Sequence, residues 1–128
     1  MVRIIADTTC GLPRQMLAER GIPLIPQIVV FGDDTYHDDT ELDTAAFLKK
    51  LKASATLPKT SAPEPTLYHP IFRQAAEKGE SIVVVAPTAK ASGTVRSAQT
   101  ASGRNWACGA KASSSGSRTA ACRVITPR

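Results

Sequence analysis

Three short polar stretches hold the side chains whose types and spacing could do chemistry. The first is Ser92-Gly93-Thr94 in "APTAKASGTVRSAQT". It stands where an apolar run has ended and a helix is expected to begin. The first N–H groups of a helix have no partners within it and carry a partial positive charge. A serine at that place is a good cap, a glycine admits a ligand close to the backbone, and a threonine adds a second hydroxyl. Together they suit an oxyanion, carboxylate or phosphate. They suit plain capping of an ordinary helix as well. The second stretch is Thr60-Ser61 in "LPKTSAPEP". Its prolines stiffen the chain and could aim the hydroxyls at a site; an ordinary surface loop is the alternative. The third is Asp7-Thr8-Thr9, just after the first apolar run. An aspartate there could accept a phosphoryl group, but the second carboxylate wanted two residues on is replaced by Thr9. Loop capping is the simpler role.

Other constellations are weaker. His37, Asp38, Asp39 and Glu41 could suggest a metal, but successive residues on an extended chain point to opposite faces. We expect a solvated acidic loop there, and no metal or cofactor. His69 has no evident partner. There is no Walker pattern, no GxGxxG and no GxSxG elbow, so no catalytic residue is assigned.

The elements that must position these stretches follow from apolar patterning. "RIIA" over 3–6 reads as a short buried strand. A helix follows from Pro13 to about Arg20, stopped by Gly21. "IPLIPQIVVF" reads as a second strand, irregular at its prolines, and "GDDTYHDD" as a turn with a short returning strand. Asp43 caps a helix over "TAAFLKKLKAS". "ATLPKTSAPEP" cannot be helical. A helix over about 66–78 ends at Gly79. "SIVVVA" is the best strand, of the kind buried on both faces of a parallel sheet. The alternation implies an α/β fold, a mostly parallel sheet with helices on both faces. In such folds ligands bind beyond the carboxyl ends of the strands, where the three hydroxyl-rich loops are expected.

The 128 residues fit one domain. All 11 acids lie before residue 100, together with 11 of the 16 basic residues. The net charge of +5 therefore resides wholly in the tail, and the folded part has no basic field to steer a nucleic acid. No apolar run is long enough to span a membrane, and the N-terminus does not read as a signal peptide. A cytoplasmic location without stable membrane insertion is expected. Cys10, Cys108 and Cys122 show no CxxC spacing. From Ala101 the composition turns to Ala, Ser, Gly and Arg without acid or clear periodicity, a linker-like text.

The ordered segments "IIADTTCGLP", "GIPLIPQIVVFGDDTYHDD", "LKKLKASATLPKTSAPEP" and "SIVVVAPTAKASGTVRSAQ" resemble the N-terminal domain of the DegV family of bacterial fatty-acid-binding proteins. The resemblance covers residues 2 to about 100. It implies a non-catalytic lipid carrier holding one long-chain fatty acid at a junction of two domains. By motif position Thr60, Ser61, Ser92, Gly93 and Thr94 would hold the carboxylate; Asp7, Thr8 and Thr9 match the first-strand loop. In Gram-positive bacteria the partner implied is a fatty acid kinase.

Family members are more than twice this length, so the second domain is expected to be missing and fatty-acid binding to be impaired. Residues 101–128 are read as a basic tail, disordered or frameshifted, with a natural truncation as the alternative. An α/β phosphoryl-transfer or hydrolytic enzyme using Asp7 is the alternative function, and a basic-tailed nucleic-acid binder a third.

Overall fold

The β-branched run Ser81–Val85 forms the central strand of the molecule. The computed structural model describes residues 1–103, 107–108 and 121–125. Along the chain they form β1 (Val2–Asp7), α1 (Arg14–Glu19), β2 (Leu24–Ile25), β3 (Ile28–Phe31), β4 (Asp34–His37) and α2 (Thr44–Ala53). There follow β5 (Lys59–Ser61), α3 (His69–Glu77), β6 (Ser81–Val85), α4 (Thr94–Ser102), β7 (Ala107–Cys108) and β8 (Ala121–Ile125). Short 3-10 turns occupy Thr8–Cys10 and Pro65–Leu67.

Two sheets result. The larger is wholly parallel, in the order β2-β1-β6-β8-β7. The smaller is antiparallel, in the order β4-β3-β5. The α/β class with its parallel sheet is as expected from the alternation of apolar runs. The single strand expected over "IPLIPQIVVF" is instead two, one in each sheet. The physical reason is Pro26: lacking an N–H and fixed in φ, it ends the pairing of β2 with β1 and lets the chain cross to the second sheet. Gln27 hangs at the crossing.

β6 also departs from the expectation of burial on both faces. Ile82 and Val84 are buried, while Val83 and Val85 are only partly so. Ile82, Val84 and Ile5 pack with Phe72 and Ala75 of α3 and Val95 and Ala98 of α4. Tyr68 completes that core, its ring centroid 6.2 Å from that of Phe72. Progress from β1 to β2 and from β6 to β7 runs in opposite directions through the sheet, so right-handed crossovers put α1 on the face opposite α4. Arg3 clamps the start of β1 to the start of β6 through Glu80, at 2.8 Å, and also bonds Gln74.

The expected domain limit at residue 100 lies within α4, which runs to Ser102. Within the segment read as a tail, the "RVI" run belongs to β8, paired in parallel with β6. Residues 104–106, 109–120 and 126–128 of that segment lie outside the described residues. Among the described residues no helix is long and apolar enough to cross a membrane.

Candidate functional site

The carboxyl ends of β1 and β6 deliver two of the hydroxyl-rich loops, and β5 delivers the third. The Asp7 side chain caps the 3-10 turn that follows β1, accepting from the Thr9 N–H at 3.0 Å and from the Thr9 hydroxyl. Gly11 ends that turn at φ 70°, in the left-handed region that glycine enters without strain. β5 pairs with β3 so that Thr60 lies opposite Val29. Beyond it Pro63 is fully buried and fixes the loop. α4 begins at Thr94 with Gly93, not Ser92, as its N-cap residue. What Gly93 accommodates is Ala62: a β-carbon on the glycine would stand 3.2 Å from the Ala62 β-carbon. The loops carrying Thr60 and Ser92 are thus in contact.

A cleft of about 460 Å³ opens where these loops meet. Thr9, Thr60 and Ser92 border it, and Val29, Phe47, Pro87 and Ala91 supply apolar walls. Phe47 is held edge-on to Phe31 with ring centroids 5.7 Å apart. Asp38 and Asp39 border the cleft as well. Asp38 follows β4, on the opposite side of β3 from Thr60. Two strand spacings, about 10 Å, separate those two sides. Thr60 and the strand that leads to Asp38 therefore stand on opposite edges of β3.

Of the eight residues singled out in sequence, Thr9, Thr60 and Ser92 line this cleft. Asp7, Thr8, Ser61, Gly93 and Thr94 are not among its lining residues. Ser61 follows Thr60 on a strand and points the other way. Thr8 borders an adjoining polar hollow with Arg14 and Asp39, and its hydroxyl accepts from the Gln27 backbone N–H at 3.1 Å. Asp7 is 1% exposed, with both oxygens engaged. Thr94 is wholly buried behind Ser92.

Sequence reasoning missed Gln27, which connects these groups. Its side-chain nitrogen donates to Asp7 Oδ2 and to Thr94 Oγ1, each at 2.9 Å. Thr94 Oγ1 lies 2.9 Å from Ser92 Oγ. A signal was present, a lone polar residue among the apolar ones of "LIPQIVVF". Tyr68 was missed too. Its hydroxyl is buried without a hydrogen-bond partner among the described residues. Burial, with the nearby Asp7 carboxylate adding to it, pushes the phenol above its ordinary range. The His37 backbone N–H donates to Glu41 at 2.8 Å and His37 Nδ1 stands 3.0 Å from the same carboxyl, and the two bonds lower the Glu41 pKa. Among the described residues no group of three His, Cys, Asp or Glu side chains is placed to hold a metal ion.

A family model described as "Uncharacterised protein, DegV family" matches residues 1–111. A DegV domain-containing protein of Halalkalibacterium halodurans is 37% identical over 101 residues, 78% of this chain and 36% of that protein. Among solved structures, DegV of Bacillus subtilis, described as a fatty acid binding protein, is 28% identical at a TM-score of 0.70. That match covers 78% of this chain and 36% of the other. A DegV family protein from Thermus thermophilus, described by its fatty acid binding, is 25% identical at a TM-score of 0.71, over 98% and 40% of the two chains. The chain thus spans little more than a third of the length of the relatives it matches.

Proposed function

This chain belongs to the DegV family, and on that premise we propose that its cleft is one wall of a site for a long-chain fatty acid. The observation that carries the reading is the convergence on one cleft of hydroxyl-bearing residues from three separate loops, Thr9, Thr60 and Ser92, beside apolar walls. Hydroxyls from Thr60 and Ser92 donate to the carboxylate, and the acyl chain lies along Val29 and Phe47. Each methylene removed from water contributes about 0.8 kcal/mol, so the tail supplies most of the affinity and the head fixes orientation. Asp7, Thr8, Ser61, Gly93 and Thr94 belong to the site as its frame.

Two relatives described as fatty acid binding share the fold, which supports a carrier over an enzyme built on Asp7. The burial of Asp7 and the engagement of both its oxygens also disfavour a nucleophile at that position. The wider reading is a carrier working in the cytoplasm, passing its acid to a kinase and binding no nucleic acid. We further read the acid-free text beyond residue 111, where the family match ends, as foreign to the family; resequencing the coding locus tests this, an unchanged reading frame overturning it.

The test of function is native mass spectrometry of the purified chain with palmitate. Weak binding of one acid is expected, and weaker binding by the Thr60→Ala/Ser92→Ala chain. Equal binding by both chains, or none by the unsubstituted one, overturns the reading.

A further inference from the structure

We infer that Gln27 is a positioning residue that turns the Ser92 hydroxyl proton into the cleft, so that the site is built for a hydrogen-bond acceptor. The inference rests on the fatty-acid reading and specifies how its headgroup is recognised.

The argument is one of hydrogen-bond satisfaction. Each partner recorded for the Asp7 carboxyl donates to it: the Thr9 N–H, the Thr9 hydroxyl and the Gln27 amide. A side-chain amide has its two protons on nitrogen. Facing Asp7 fixes the nitrogen of Gln27 inward, and its second proton goes to Thr94 Oγ1. Gln27 and Thr94 are 8% and 0% exposed, so neither bond is replaced by water.

Thr94 Oγ1 thus already accepts one bond, and its own proton needs an acceptor. The acceptor at hand is Ser92 Oγ, 2.9 Å away. Were Ser92 to donate instead, Thr94 would accept twice and its proton would be stranded in a buried site, which costs about 1–3 kcal/mol. Ser92 Oγ also receives the Thr94 backbone N–H at 3.3 Å. Both its acceptor positions are filled, and its proton is left to point into the cleft that Ser92 lines. The run therefore has one arrangement: Gln27 donates to Asp7 and to Thr94, Thr94 donates to Ser92, and Ser92 donates into the cleft.

Substituting Gln27→Glu reverses the outward half of the run, through Thr94 and Ser92, with almost no change of shape. The new carboxyl carries at most one proton, which goes to Asp7, the stronger acceptor. Thr94 then donates inward, accepts from Ser92, and the cleft meets oxygen lone pairs. The probes are octanoate, an acceptor only, and 1-octanol, which also donates. Both are titrated into the full chain and followed by backbone amide NMR shifts.

The unsubstituted chain is expected to prefer octanoate. In the Gln27→Glu chain the acid-over-alcohol preference falls by about tenfold, the loss of one hydrogen bond to a charged group, while 1-octanol affinity stays within about threefold, well inside that bond's worth. If that chain does not fold, Gln27→Met carries the test: it removes the donor, frees Thr94 to accept from Ser92, and lowers the same preference. Folded variants that keep the unsubstituted preference overturn the inference and leave the fatty-acid reading standing. An unsubstituted chain that binds both probes without preference also overturns the inference alone. Failure of the unsubstituted chain to bind either probe overturns the fatty-acid reading, and the inference falls with it.

Discussion

Gly93 faces Ala62 with room for a hydrogen and little more: a β-carbon there would approach the Ala62 β-carbon to 3.2 Å. This contact joins the loop that carries Thr60 to the start of α4, and so sets the distance between the two hydroxyls of the proposed headgroup site. Gly93→Ala forces the loops apart by a few tenths of an ångström. Overpacking of this kind costs about 1 kcal/mol. We expect a lowered urea midpoint together with weaker fatty-acid binding; an unchanged midpoint would show that the loops yield freely.

Thr60 and Ser61 are chemically alike and differ in direction. Thr60 lines the cleft and Ser61 does not. Thr60→Ala is expected to weaken fatty-acid binding by about three- to tenfold, the worth of one hydrogen bond. Ser61→Ala is expected to leave it unchanged. Calorimetric titration of both variants decides, and equal losses would contradict the assignment of Thr60 alone to the headgroup.

Tyr68 has a buried hydroxyl with no hydrogen-bond partner among the described residues. Tyr68→Phe removes a desolvated polar group and keeps the ring against Phe72. Stability is expected to hold or to rise by about 1 kcal/mol. The phenol also makes a pH dependence. Its folded-state pKa is raised, so its proton stabilises the fold fully below the ordinary tyrosine value of about 10. That contribution is lost as pH climbs above it, because the unfolded state ionises first. Denaturant midpoints between pH 8 and 11 should fall less steeply for Tyr68→Phe than for the unsubstituted chain.

Asp43 accepts from the Ala46 N–H at 2.7 Å and begins α2. That helix places Phe47 and Thr44 on the cleft. Asp43→Ala is expected to cost about 1 kcal/mol of stability, and Asp43→Asn much less, since asparagine caps as well as aspartate. Thermal unfolding of the two variants checks the difference.

Local punctuation made most of the fold legible in sequence. Pro13, Gly21, Asp43 and Gly79 mark helix limits that the structure keeps within a residue or two, and the Val-Ile run at 82–85 is a core strand. The division of "LIPQIVVF" between two sheets was not legible, because both halves are apolar and extended. Only the choice of partner strand separates them, and partners lie far away in sequence. The site was legible to the same degree. Thr9, Thr60 and Ser92 stand where hydroxyl-rich loops suggested. The capping preference of serine suggested an N-cap at Ser92, yet Gly93 holds that place because of its neighbour Ala62. Gln27 stayed hidden because a glutamine beside a proline has no chemistry until Asp7 and Thr94 are brought to its two sides.

The clamp between β1 and β6 has a consequence for biosynthesis. β1 finds its main neighbour only when Ser81–Val85 exists, since Val2 registers with Ser81 and Ala6 with Val85. At ordinary translation speeds of about 5–20 residues per second, β1 waits roughly 4–16 seconds for that strand. During the wait Ile5 and Ala6 are unsheltered, and Arg3 lacks its Glu80 counterion. A strand made early is thus housed only when one made about 80 residues later arrives.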